Sequence, residues 1–164
     1  MIASIAFTGT ATAATGGTAI PGAEPEGPVG KAKLKRNGKA VPPVDAPRKV
    51  VKAIRAANRI EDKPYKYGGG HGKVRDSGYD CSGAVSFALI KAKLLAAPLD
   101  SIGLTRWGKK GKGEWITVYG NPGHAYAVIA GLRWDTSMTP GNGPGWSKKK
   151  RSGKGFKKTH PKGL

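Results

Sequence analysis

The sequence predicts an α+β fold, with N-terminal helices packed on an antiparallel sheet, and three observations carry that reading. Val50, Val51, Ile54 and Ala57 recur on one helical face behind Asp45-Ala46-Pro47. Asp80 is a good N-cap for a second helix, whose apolar positions Ala84, Val85, Ala88 and Leu89 also follow helical spacing. Farther on, Trp115, Thr117 and Tyr119 alternate with Ile116 and Val118, and the turn signal Gly120-Asn121-Pro122-Gly123 leads into an apolar strand that His124 begins.

In chain order, the first 23 residues are uncharged and rich in Ala, Thr and Gly. Met1 to Phe7 fits the end of a signal-peptide apolar region, and Ala11-Thr12-Ala13-Ala14 has the small residues that cleavage sites prefer. The basic segment expected ahead of them is missing, so the stretch reads as a truncated export signal or as a flexible linker. Pro21 to Pro28 is unsuited to regular structure, and Lys31-Ala32-Lys33-Leu34-Lys35-Arg36 is a basic run between flexible stretches. Residues 1–44 are therefore expected to be leader and flexible basic linker, without core residues. One folded domain, residues 45–164, follows from the length of 164 residues.

Asp45 is expected to cap the first helix, with Pro47 in its first turn and an end near Ile60. Tyr65 to Asp80 should be loop, because its glycines allow backbone conformations closed to other residues and let the chain pass close to a reactive group. The cysteine helix should run to about Leu95, before Pro98. Residues 99–113 are expected to be loop. After the strand that His124 begins, a turn at Gly131 leads into Arg133-Trp134-Asp135-Thr136. From Trp146 onward there are eight Lys or Arg and no acid. This reads as a basic C-terminal tail, about 146–164, in which Phe156 is the candidate for a return to the core as a short final strand.

The chemistry centres on Gly78-Tyr79-Asp80-Cys81-Ser82-Gly83, which holds the single cysteine. As the first helical residue, Cys81 lies where unpaired N–H groups and the positive end of the helix dipole favour the thiolate, the form that attacks carbonyl carbon. The same N–H groups can hold a developing oxyanion. A small buried thiol on an amphipathic helix is the other reading of the cysteine alone.

Three segments in order, Pro64-Tyr65-Lys66-Tyr67-Gly68-Gly69, Asp80-Cys81-Ser82-Gly83 and Gly123-His124 opening an apolar strand, resemble the NlpC family of bacterial cell-wall endopeptidases. The resemblance runs from Ala46 to about Ser137 and implies a papain-like fold with a cysteine nucleophile. Of the three histidines, His71 lies in the glycine loop and His160 in the tail, so His124 is the candidate general base. The resemblance places an orienting residue on the strand after the histidine. Asp135 is its most plausible counterpart, with Thr136 as the alternative. It also assigns Tyr65 to the lining of the active site, beside the simpler role of an aromatic packed near the helix start. The implied activity is hydrolysis of amide bonds in peptidoglycan stem peptides, between D-glutamate and a diamino acid, by a secreted or wall-associated enzyme.

One cysteine and three scattered histidines have no zinc-type spacing, and the glycine run lacks the Lys-Ser or Lys-Thr of a phosphate loop. No cofactor or metal is expected. Lys plus Arg outnumber Asp plus Glu by 29 to 10, which calls for an acidic partner. Anionic cell-wall polymers suit this charge. A non-catalytic protein binding the wall or another polyanion is the alternative function. Nucleic acid is disfavoured, because the tail has only Trp146 and Phe156 for base stacking. No stretch reaches the roughly 18 apolar residues of a membrane span.

Overall fold

The computed structural model describes residues 29–137 and 143–164. The expected export leader lies outside the described residues, as does most of the Pro/Gly-rich stretch before Trp146. The chain forms a short ribbon of β1 (Lys33–Leu34) and β2 (Ala40–Val41), then α1 (Arg48–Ala57), α2 (Cys81–Lys91) and α3 (Ser101–Leu104). Strands β3 (Lys109–Lys110), β4 (Ile116–Asn121), β5 (His124–Ile129), β6 (Leu132–Asp135), β7 (Gly145–Ser147) and β8 (Lys157–His160) complete it. The last six build one antiparallel sheet in the order β3-β8-β4-β5-β6-β7. Helices followed by an antiparallel sheet are therefore observed. Among the described residues no helix is long and apolar enough to cross a membrane.

Helix α1 is amphipathic and buries Val50, Ala53, Ile54, Ala56 and Ala57. Helix α2 is buried continuously from Ser82 to Leu89, because it lies between α1 on one side and β5 and β6 on the other. The Trp134 indole N–H on β6 donates to the Ala84 carbonyl at 3.1 Å, tying the sheet to the first turn of α2. Two tight hairpins set the register of the meander. Asn121 pairs with His124 across Pro122-Gly123, and Ile129 pairs with Leu132 across Ala130-Gly131. Ala130 and Gly131 both have positive φ, 46° and 82°, the geometry a two-residue hairpin turn needs.

Four expectations change. Asp45 does not cap α1: Pro47 holds the N-cap position without a side-chain bond. Lying two residues ahead of that position, the Asp45 carboxylate instead accepts from the Gly30 amide at 2.8 Å. The ribbon contributes Ala32 and Ala40 to the core, where no core residue was expected. It is fastened by Asn58, whose side chain accepts from the Ala40 amide and donates to its carbonyl, and whose oxygen also takes the Trp146 indole N–H at 2.9 Å. Helix α2 stops at Lys91 because Lys93 turns left-handed, φ 57°, and the Leu94 amide closes back on Leu89. The expected loop 99–113 contains α3 and the edge strand β3.

The basic C-terminal segment joins the sheet twice. Trp146 on β7 packs on Trp134 with ring centres 4.9 Å apart. Strand β8 then inserts between β3 and β4, next to Phe156, the residue proposed to anchor it.

Candidate active site

Asp80 organises the start of α2. Its Oδ1 accepts from the Gly83 amide at 2.7 Å, the expected cap, while Oδ2 accepts from the Gly68 amide at 3.1 Å. The glycine loop is thereby drawn over the helix start. It approaches so closely that a Cβ on Gly83 would collide with the Gly69 carbonyl. Cys81 is the first residue of α2 and is partly exposed.

Strands β5 and β6 bring two further groups to the thiol. His124 opens β5 and Asp135 closes β6, both on the sheet face opposite to Trp134, and His124 Nε2 lies 2.8 Å from Asp135 Oδ1. The same imidazole and the Ala125 N–H stand beside the Cys81 thiol and act on its charge. With Nε2 on the carboxylate, Nδ1 is the nitrogen left for the thiol. Cys81, His124 and Asp135 thus stand in one sequence of interacting groups, with His124 bonded to the carboxylate and acting on the thiol. Thr136, the alternative partner for the ring, is buried beside Asp135.

The electrostatics follow from that chain. Burial pushes the Cys81 thiol up, but the bonds from His124 and from the Ala125 N–H outweigh it and hold the thiol below its ordinary value. Burial pulls His124 down, yet its bonds to Asp135 and Cys81 raise it to about 9. Asp135 is pushed up by burial and pulled down further by His124 and the Ser137 amide, to about 2. Between the lowered thiol and pH 9 the arrangement therefore favours thiolate beside imidazolium.

This leads to a measurable expectation. Alkylation of Cys81 by iodoacetamide should persist to lower pH than that of an ordinary thiol of pKa about 8.5, and should show a second inflection near pH 9 as His124 loses its proton. His124→Ala should return the profile to a single step in the ordinary thiol range. An unaltered profile in that variant would mean that His124 does not control the thiol.

Tyr65 lies at the mouth of the same cleft, 45 % exposed, held by a bridge to Tyr79. Its hydroxyl is pushed up by burial and then by the nearby Cys81. The cleft has a volume of about 360 Å³ and is lined on other sides by Tyr67, His71, Ser82, Ile102 and Pro122.

Three residues with no site role in the sequence reading stand here. His71 reaches back from the glycine loop, its Nε2 3.0 Å from Asp80 Oδ1 and 3.2 Å from Ser82 Oγ. Arg151, from the basic C-terminal segment, donates to Asp135 Oδ2 at 3.1 Å, so both carboxylate oxygens are engaged. Phe156 sets its ring edge-on to His124, with centres 6.4 Å apart. The flexibility of the glycine run was the sole signal for His71. Nothing in spacing distinguished Arg151 from its lysine neighbours.

The sequence matches no protein-family model and no curated protein. The fold matches a solved structure, that of the peptidoglycan hydrolase RipB from Mycobacterium tuberculosis, with a TM-score of 0.54 and 21 % identity over 73 % of this chain and 68 % of that one. The two proteins share a fold.

Proposed function

We propose that this chain is a papain-like cysteine peptidase of the NlpC type that hydrolyses amide bonds in peptidoglycan stem peptides. The observation that carries the reading is the placing of Asp135, bonded to His124, and of His124 beside a thiol at a helix start that opens on a cleft. The fold shared with a peptidoglycan hydrolase supports the substrate class. In this mechanism Cys81 Sγ attacks the scissile carbonyl carbon, and the N–H groups at the start of α2 receive the oxyanion, with Tyr65 shaping that side of the site. Imidazolium His124 gives its proton to the leaving amine, and the acyl-enzyme forms. His124 then takes a proton from water, the acyl bond is hydrolysed and the thiol is restored. Asp135 holds the ring in the required tautomer. The favoured bond lies between D-glutamate and a diamino acid, and the place of action is the cell wall, outside the cytoplasm.

The test is incubation with purified peptidoglycan and mass analysis of the released peptides, with and without a thiol-blocking reagent. Thiol-sensitive release of stem-peptide fragments is expected. Salt-sensitive adsorption without release would favour a non-catalytic wall-binding protein on the same fold, a reading that the net charge of +19 supports.

The orienting role of Asp135 has its own test. Asp135→Ala should lower hydrolysis by part of the roughly 10²- to 10⁴-fold that a general base contributes, and by less than His124→Ala does. The double variant should be hardly slower than His124→Ala, since an orienter has nothing to act on without its base. Additive losses would give Asp135 an independent role.

A further inference from the structure

A second cavity, of about 460 Å³, lies on the sheet face that also carries His124 and Asp135, and it shares no lining residue with the thiol cleft. That volume falls within the roughly 300 to 1,000 Å³ usual for ligand sites. Its floor is a row across the strands: Lys158 of β8 beside Tyr119 of β4, Tyr119 beside Tyr126 of β5, then Val128, Arg133 of β6 and Ser147 of β7. Eight lysines and arginines line it, drawn from the run before β1, the loop before β4, β6, the 148–151 run and β8; Arg133 and Arg151 also face Asp135, the six lysines do not, and none of its described lining residues is acidic. Charges so far apart in sequence are gathered by the fold, unlike those of a solvated tail. Tyr126, 1 % exposed, also lines the cavity, and its hydroxyl is buried without a hydrogen-bond partner. Burial first and Tyr119 next push that hydroxyl up to about 12, so it stays a donor.

We propose that this cavity is a binding site for a phosphodiester polymer of the polyol type, separate from the thiol cleft. Phosphates fit the many cations gathered there. A polyol spacer suits the site better than a nucleobase, because the ring of Tyr126 is already engaged and Tyr119 is stacked on it. Tyr119 and Tyr126 stack on each other at 4.5 Å, Phe156 meets Tyr126 edge-on, and Arg151 lies 5.6 Å over the Tyr126 ring. Tyr126 is thereby closed to base stacking, and Tyr119 alone does not make the succession of stacking rings on which single-stranded nucleic-acid binding relies.

The test titrates the full chain with poly(glycerol phosphate), and with oligothymidylate of equal phosphate number, over a series of salt concentrations. The variant Lys112→Gln/Lys149→Gln/Lys158→Gln should bind poly(glycerol phosphate) at least tenfold more weakly. Its plot of log K against log salt should be shallower by about 2, at about 0.7 for each phosphate no longer neutralised. The control Lys49→Gln/Lys52→Gln/Arg55→Gln removes as much charge from exposed positions elsewhere and should stay within twofold of the parent. Unchanged melting temperatures verify that both variants are folded. Equal weakening in the two variants, or none in the first, would overturn the site. Oligothymidylate binding as tight as poly(glycerol phosphate), and lost with the same three lysines, would overturn the polyol assignment in favour of nucleic acid.

Discussion

Cys81→Ser is expected to lower stem-peptide hydrolysis by about 10⁴- to 10⁶-fold, the range reached when an enzyme loses its nucleophile. The substitution is nearly isosteric, so the Asp80 cap and the packing of Ser82 to Leu89 should remain, and the melting temperature should move little. The loss is chemical. A serine hydroxyl is not ionised by a neighbouring imidazole as the thiol is, and the pair of opposite charges favoured at Cys81 and His124 cannot form. Peptide release from purified walls, compared with thermal unfolding of the same sample, separates the two effects. Hydrolysis persisting within tenfold of the parent would remove Cys81 from the mechanism. The hydrolytic profile of the parent should be bounded on the alkaline side near pH 9, where His124 loses the proton that the leaving amine requires.

Deleting Lys157 to Leu164 should have the second-largest effect, and it should act on folding. Strand β8 lies inside the sheet, pairing Lys157, Lys158 and Thr159 with Gly120, Tyr119 and Val118 of β4 and also holding β3. The Thr159 hydroxyl, in a residue 2 % exposed, donates to the Leu104 carbonyl at 3.0 Å. Losing these bonds at about 1 kcal/mol each removes a large share of a stability of about 5–15 kcal/mol and leaves β4 with an open edge. A fall in melting temperature of roughly 10 °C or more is expected, with activity lost in parallel. Thermal unfolding followed by circular dichroism measures it. A truncated chain that melts like the parent would mean that β8 is dispensable. Replacing Lys148 to Lys150 by glutamine leaves both strands intact and should not lower the melting temperature, which separates the charge of this segment from its place in the sheet.

Short-range chemistry made much of the chain legible from sequence. A carboxylate three residues before a free amide caps a helix, so Asp80 located the start of α2 and put Cys81 at its first position. Alternating side chains and tight turns defined β4, the Pro122-Gly123 turn and β5, because each depends on neighbours only a few residues apart. The same kind of rule misassigned Asp45, since Pro47 took the N-cap position and Gly30, fifteen residues away, took the carboxylate. What the tertiary structure alone decided is which distant groups meet. It set Arg151 on Asp135, Phe156 against His124, His71 against Asp80 and Ser82, and β8 between β3 and β4. Such pairings leave no periodic trace in a chain. A lysine or arginine in a basic run has the same local pattern whether it faces water or a buried carboxylate, and only closure of the sheet, with the loss of solvent it brings, tells the two apart.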